Sequence, residues 1–181
     1  MTFYVGAFGS TGGGAFNHPP TDSLSHIDRI EVTSGDWIDA ISFDEYNSGS
    51  GRTQRYRHGG SGGRDRIPID LKGTHGEWRH FYINGVEGQL KQRDEPYVQY
   101  LRFHIWDAAN NIGHGVADVG RRQPGPNHFS VVFGPERPGE HPKEICGFGG
   151  RSGEYLDAIG FYVRDYYHVL GASAADEPKP E

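Results

Sequence analysis

Two aspartates stand where loose, glycine-bearing chain turns into apolar strand. Residues 35–43 read "GDWIDAISF" and residues 153–161 read "GEYLDAIGF", with five of nine positions identical and conservative exchanges at the rest. Asp39 and Asp157 occupy the same place in the two copies. A lone aspartate at a strand start more often closes a local turn; the doubling argues for a shared task. Glycine pairs elsewhere, "TGGG" at 11–14 and "HGGSGG" at 58–63, supply bare backbone. Glycine tolerates positive φ and lets a ligand approach the peptide closely. A carboxylate, the backbone N–H groups before it and a naked glycine opposite make a pocket of acceptors and donors with no reactive group. Neighbouring hydroxyls on a sugar ring suit such a pocket, because each both donates and accepts. A hydroxyl donating to an ionised carboxylate makes a charge-assisted, stronger bond.

The elements that position these residues read as strands. Segments rich in β-branched and aromatic residues recur at 26–33, 36–46, 66–71, 77–84, 97–106, 127–133, 144–149 and 154–165. Several alternate with period two, as in Ile159, Phe161 and Val163, the phase of a half-buried strand. The 28 glycines and 11 prolines fall between them as punctuation, the pattern of an all-β domain with many tight turns. No segment carries a long helical period. A third, worn copy of the motif is read at 76–84, "GEWRHFYIN", with His80 in place of the aspartate. Internal repetition predicts similar sheets arranged round a pseudo-axis. The stretch 134–144 reads as an exposed loop. The tail 171–181, small, charged and proline-bearing, reads as disordered, so residues 1–170 are expected to form one domain.

With these motifs in view, the chain resembles the jacalin-related lectins over about residues 4 to 166. The resemblance rests on "GAFGSTGGGAF", "SGDWIDAISF", "HGGSGG" and "GFGGRSGEYLDAIGFYV" taken together. It implies a β-prism I, three four-stranded Greek-key sheets with pseudo-threefold symmetry. It also implies a non-catalytic carbohydrate site in which Asp157 accepts from two sugar hydroxyls. The amides of Glu154, Tyr155 and Gly13 then donate, and Gly153 opens the loop. A second site of the same design would use Gly35, Asp36, Trp37 and Asp39 facing Gly63. Galactose-binding members are cleaved so that the glycine becomes a free amino terminus. Gly13 lies inside an uncut chain, as in the mannose-binding branch, so mannose or glucose is the expected sugar. The chain departs from the family at Ala7 and Phe8, Ser10 and Asn17, positions that bear on packing more than on the site.

Other readings are weighed against this one. A formal net charge of -6 without like-charge runs gives no basic footprint for nucleic acid, and no apolar run approaches a membrane span. The single cysteine, Cys146, excludes an internal disulfide framework and reads as a buried small hydrophobe. The ten histidines show no zinc spacing, so neither a metal nor a cofactor is expected. His58 is the one histidine suggested for ligand contact. Trp37 and Tyr155 serve equally as rim contacts for a sugar or as sheet-edge packing. An enzyme acting on glycans needs two carboxyls flanking one bond, and Glu154 falls on the other side of an extended segment from Asp157. A protein-interaction module with degenerate sugar sites is the remaining alternative. The start "MTFYVGAFGS" lacks the marks of a signal peptide, which predicts a cytoplasmic or non-classically secreted protein. The expected partners are mannose- or glucose-containing glycans or glycoproteins, met by a homo-oligomer.

Overall fold

The computed structural model describes residues 1–72, 81–91 and 96–166. Among these described residues twelve strands follow in order: β1 (Thr2–Gly9), β2 (Gly14–His18), β3 (Ser25–Ser34), β4 (Ile38–Asn47), β5 (Arg52–Gly59), β6 (Asp65–Asp70), β7 (Phe81–Leu90), β8 (Val98–Asp107), β9 (Ile112–Gly120), β10 (His128–Val132), β11 (Glu144–Ser152) and β12 (Leu156–Arg164). They make three four-stranded antiparallel sheets, β5-β4-β3-β6, β10-β7-β8-β9 and β1-β12-β11-β2. In each sheet the fourth strand returns to lie beside the first, which is the Greek key. The third sheet draws β1 and β2 from one end of the sequence and β11 and β12 from the other.

The sheets are copies of one plan. The inner pairs β3–β4, β7–β8 and β11–β12 each slip register twice, at matching places. A slip flips the side chains that follow to the other face, so three coincident slips bring the same positions inward three times. Leu156, Ile159 and Phe161, then Ile38, Ile41 and Phe43, then Val98, Leu101 and Phe103 are all buried in one central core. Aromatic rings knit the sheets across the axis: Phe43 meets Phe148 edge-on at 5.0 Å, and Phe8 stacks on Phe129 at 4.5 Å. Cys146 is buried, with its thiol against the carbonyl of Tyr162 at 3.4 Å.

The structure amends the strand reading in two ways. The segments β1, β2, β5 and β9 carry too few inward apolar residues to stand out. β5, for example, reads "RTQRYRHG" and is exposed for most of its length. They lie on sheet edges, where only one neighbour specifies them. β7 also runs on through Gly85 and Gly88 to Leu90. The third motif copy read at 76–84 is misplaced by one strand. Its described part, Phe81–Asn84, opens β7, the counterpart of β3 and β11, whereas the strand matching β4 and β12 is β8. His80, the rest of that copy and the tail 171–181 lie outside the described residues. The stretch 134–143 carries no strand and is largely exposed, with Lys143 bridging Glu136 at 2.8 Å and Asp165 at 3.0 Å.

His58 faces a neighbouring sheet. Its Nε2 lies 2.8 Å from Nε2 of His18, and its ring stacks on Phe16 at 4.0 Å. Burial, then the His18 imidazole, push the His58 pKa from 6.5 down to about 4. The folded protein thus keeps this ring neutral where the unfolded chain would protonate it. Its contribution is complete above about pH 6.5, falls as pH drops towards 4, and is flat below that. The change is expected to be roughly 1 kcal/mol after screening at this half-buried position is allowed for. Urea midpoints at pH 7 and 4.5, compared with those of His58→Phe, read it directly. An equal pH slope in the variant contradicts the assignment.

Candidate functional site

A β-bulge places the two aspartates. Arg151 pairs with Ala158 and Ser152 with Leu156, while Thr33 pairs with Ala40 and Ser34 with Ile38, so Asp157 and Asp39 are each the extra residue of a bulge. Each carboxylate therefore stands where its inner strand leaves the regular ladder. Asp157 and Asp39 are only 5% and 6% exposed.

The preceding loops are built alike. Ser152 pairs with Leu156, and Ser34 with Ile38, leaving three residues between them in each case. The first residue's amide turns back onto the third residue's carbonyl, Gly153 to Tyr155 at 3.0 Å and Gly35 to Trp37 at 2.9 Å. On the far wall, Ser10 donates to the Asp157 carbonyl at 2.9 Å and Gly60 to the Asp39 carbonyl at 3.0 Å. The chain then rises past each carboxylate as Gly12-Gly13 and Gly62-Gly63. Gly13 has φ +63° and Gly63 φ +89°, left-handed backbone that a side chain strains. A side chain at Gly12 would begin 3.0 Å from Asp157 Oδ1, and one at Gly63 3.0 Å from Asp39 Oδ2. At Gly13 it would overlap Asp157 Oδ2 and the Ser152 backbone. Gly153 and Gly35 close the opposite rims, facing Gly13 and Gly63. Asp157, Gly153 and Gly13 thus form one cup, and Asp39, Gly35 and Gly63 a second.

Burial raises the Asp39 pKa, while the amides of Gly35 and Asp39, donating to the carboxylate, partly offset it. In the first cup Arg151 braces the glycine wall, Nε to the Gly12 carbonyl at 2.8 Å and Nη2 to the Gly13 carbonyl at 2.7 Å. Nothing in the motif singled out Arg151; its position between the glycine run and the repeat is the available signal. Glu154 and Asp36 point outward as exposed residues, and Tyr155 and Trp37 are half-buried. His58 packs between sheets and enters neither cup. Among the described residues, no three His, Cys, Asp or Glu side chains are grouped to hold a metal.

The sheet β10-β7-β8-β9 holds a counterpart that sequence reading missed. Leu90 pairs with Val98 as Ser152 does with Leu156, which puts Gln99 in the aspartate position. Lys91 donates to the Tyr97 carbonyl at 2.9 Å, echoing Gly153 and Tyr155. Seven residues, 91–97, separate the paired positions instead of three. "YVQYLRF" at 97–103 matches "YLDAIGF" in its aromatic, aliphatic and polar steps; the carboxamide and the longer loop hid it. The three positions adjoin one another. Gly60 packs on the Glu154 carbonyl, Trp37 lies under Lys91 Nζ at 3.9 Å, and Tyr97 meets Tyr155 at 5.4 Å.

Three four-stranded Greek-key sheets round one axis are the architecture of the β-prism I lectins. Residues 5–162 match the jacalin-like lectin domain. The chain is 28% identical over 166 residues to jacalin-related lectin 19 of Arabidopsis thaliana, covering 90% of this chain and 81% of that protein. It superposes on wild-type Malaysian banana lectin with a TM-score of 0.68 at 25% identity, covering 92% of this chain and all of that one. AcmJRL, a mannose-binding jacalin-related lectin from Ananas comosus, superposes with a TM-score of 0.66 at 23% identity, covering 91% and 99% of the two chains. The chain belongs to the jacalin-like lectin family, as a carbohydrate-binding protein and not an enzyme.

Proposed function

We propose that the protein binds mannose- or glucose-type sugars reversibly at two sites, without catalysis or metal. The observation that carries this is the doubled cup: a buried carboxylate at a strand start, faced by left-handed glycine, built identically in two sheets. In the first site Asp157 accepts from two vicinal hydroxyls, and the amides of Gly13, Glu154 and Tyr155 donate. In the second Asp39 accepts, the amides of Asp36 and Trp37 donate, and Gly35 and Gly63 leave room for the ring. The mannose-binding character of a solved structural neighbour and the uncut chain at Gly13 support the choice of sugar.

Shallow cups lined by a few hydrogen bonds give weak single-site binding, on the order of millimolar, or about -4 kcal/mol. Two cups in one rim, multiplied by self-association, raise the avidity towards branched glycans or glycoproteins. Titration with methyl α-mannoside, followed by heat and by Trp37 fluorescence, tests the proposal. Two equivalents bound supports it; silence up to tens of millimolar, roughly ten times the expected Kd, favours a protein-interaction role instead.

The raised Asp39 pKa adds a pH test. Sugar hydroxyls donate to the ionised carboxylate, so protons compete with sugar. In an Asp157→Asn background, mannoside affinity should begin to fall at a pH above the ordinary aspartate value of 3.8 and then drop about tenfold per pH unit. A midpoint at or below 3.8 refutes the role given to burial.

A further inference from the structure

A peptide unit is planar, and across a trans bond its C=O and N–H point in opposite directions. Whatever holds a carbonyl therefore aims the amide on the other side of the same plane. Gly13 is the case that matters, since its N–H is the proposed sugar donor of the Asp157 wall. That N–H shares a plane with the Gly12 carbonyl, to which Arg151 Nε donates at 2.8 Å. Arg151 Nη2 holds the next plane as well, donating to the Gly13 carbonyl at 2.7 Å. One rigid guanidinium fork thus fixes the peptides on both sides of the Gly13 Cα, where a glycine backbone is otherwise free to turn. Charge adds to aim: a cation bonded to the Gly12 oxygen polarises that peptide and strengthens its N–H as a donor.

Among the described residues, the second cup is built without this fork. Thr33 takes the place of Arg151, pairing with Ala40 as Arg151 pairs with Ala158, and it offers one hydroxyl donor. Arg57 grips that wall earlier, Nη2 donating to the Gly60 carbonyl at 2.5 Å, which aims the Ser61 amide and not that of Gly63.

We propose that Arg151 is a positioning residue of the Asp157 cup: by clamping the Gly12 and Gly13 carbonyls it presets and strengthens the Gly13 N–H from which a sugar oxygen accepts. The inference rests on the reading of the cups as sugar sites. It makes the Asp157 cup the preorganised one, so less ordering is left for the sugar to impose.

Arg151→Met, which keeps an apolar stem and removes every donor, tests it in two backgrounds by titration calorimetry with methyl α-mannoside. In Asp39→Asn, where the Asp157 cup alone is intact, it should weaken binding about fivefold, the worth of one net hydrogen bond. In Asp157→Asn, where the Asp39 cup alone is intact, affinity should stay as it was, which also certifies the fold. Arg151→Lys, a flexible ammonium without the fork, should fall between arginine and methionine. In the sugar-free protein the heteronuclear NOE of the Gly13 amide should drop with Arg151→Met while that of Gly63 holds, a local change that a general loss of stability does not produce. Undiminished affinity in the Asp39→Asn background, an equal loss in both backgrounds, or an unmoved Gly13 amide overturns the inference and leaves mannose binding standing. Silence of the unaltered protein towards mannoside removes the sugar reading, and the inference with it.

Discussion

Changing Asp157 and Asp39 together to asparagine abolishes measurable mannoside binding, and each change alone halves the number of sugars bound. Asparagine keeps the volume and one acceptor oxygen, so the cup survives as a shape. What goes is the charge that receives the sugar hydroxyls, and an N–H pair replaces one acceptor. A hydrogen bond to a charged group contributes about 1.5–3 kcal/mol. Removing even one such bond from a site worth about -4 kcal/mol leaves it beyond practical titration. Calorimetric stoichiometry near two for the parent, one for each single variant and zero for the pair is the expected series. Loss of both sites from Asp157→Asn alone would mean that the second cup binds nothing, and retention by the double variant would move the mannose site elsewhere.

Arg164→Met destabilises the fold by about 3–5 kcal/mol, the usual cost of stripping one partner from a buried ion pair. Arg164 and Glu144 are 4% and 1% exposed, with Arg164 Nε to Glu144 Oε1 at 2.5 Å. The same guanidinium crosses to the next sheet, where Nη2 donates to the Ser25 carbonyl at 2.6 Å and Nη1 reaches the Asp22 carbonyl at 3.3 Å. Methionine takes the guanidinium away from the buried Glu144 carboxylate and removes one donor from each of those carbonyls. For a chain of this size the melting temperature should fall by roughly 10 °C. Arg164→Met combined with Glu144→Leu should recover a large part of the loss, since an apolar pair can replace a buried ionic one at little net cost. A single variant that melts with the parent, or a double variant worse than the sum of its parts, contradicts this account.

The repeat was readable because Asp39 and Asp157 sit in near-identical strings, and from it the threefold architecture follows. Register carries what composition does not. The third copy lies at Gln99 because Leu90 pairs with Val98, a fact invisible while a polar-to-polar exchange and a lengthened loop disguise it. A search keyed to an acid settled on 76–84, which belongs to the preceding strand. β1, β5 and β9 escaped notice because an edge strand needs few buried side chains. Arg151 and Arg164 escaped because an arginine's reach across sheets depends on where distant backbone carbonyls come to lie. Glycine 13 and glycine 63 could be singled out only through the family resemblance; their positive φ is the physical reason no larger residue serves.

The sheet shared by the two ends of the sequence makes the cups unequal in time. Everything the Asp39 cup needs lies between Gly35 and Gly63, so a nascent chain can complete it early. The Asp157 cup joins partners as far apart as Arg151 and Gly13, 138 residues along the chain, and such distant closure is the slow part of folding. Its walls meet only when β11 has paired with β2, so it is the later of the two to form.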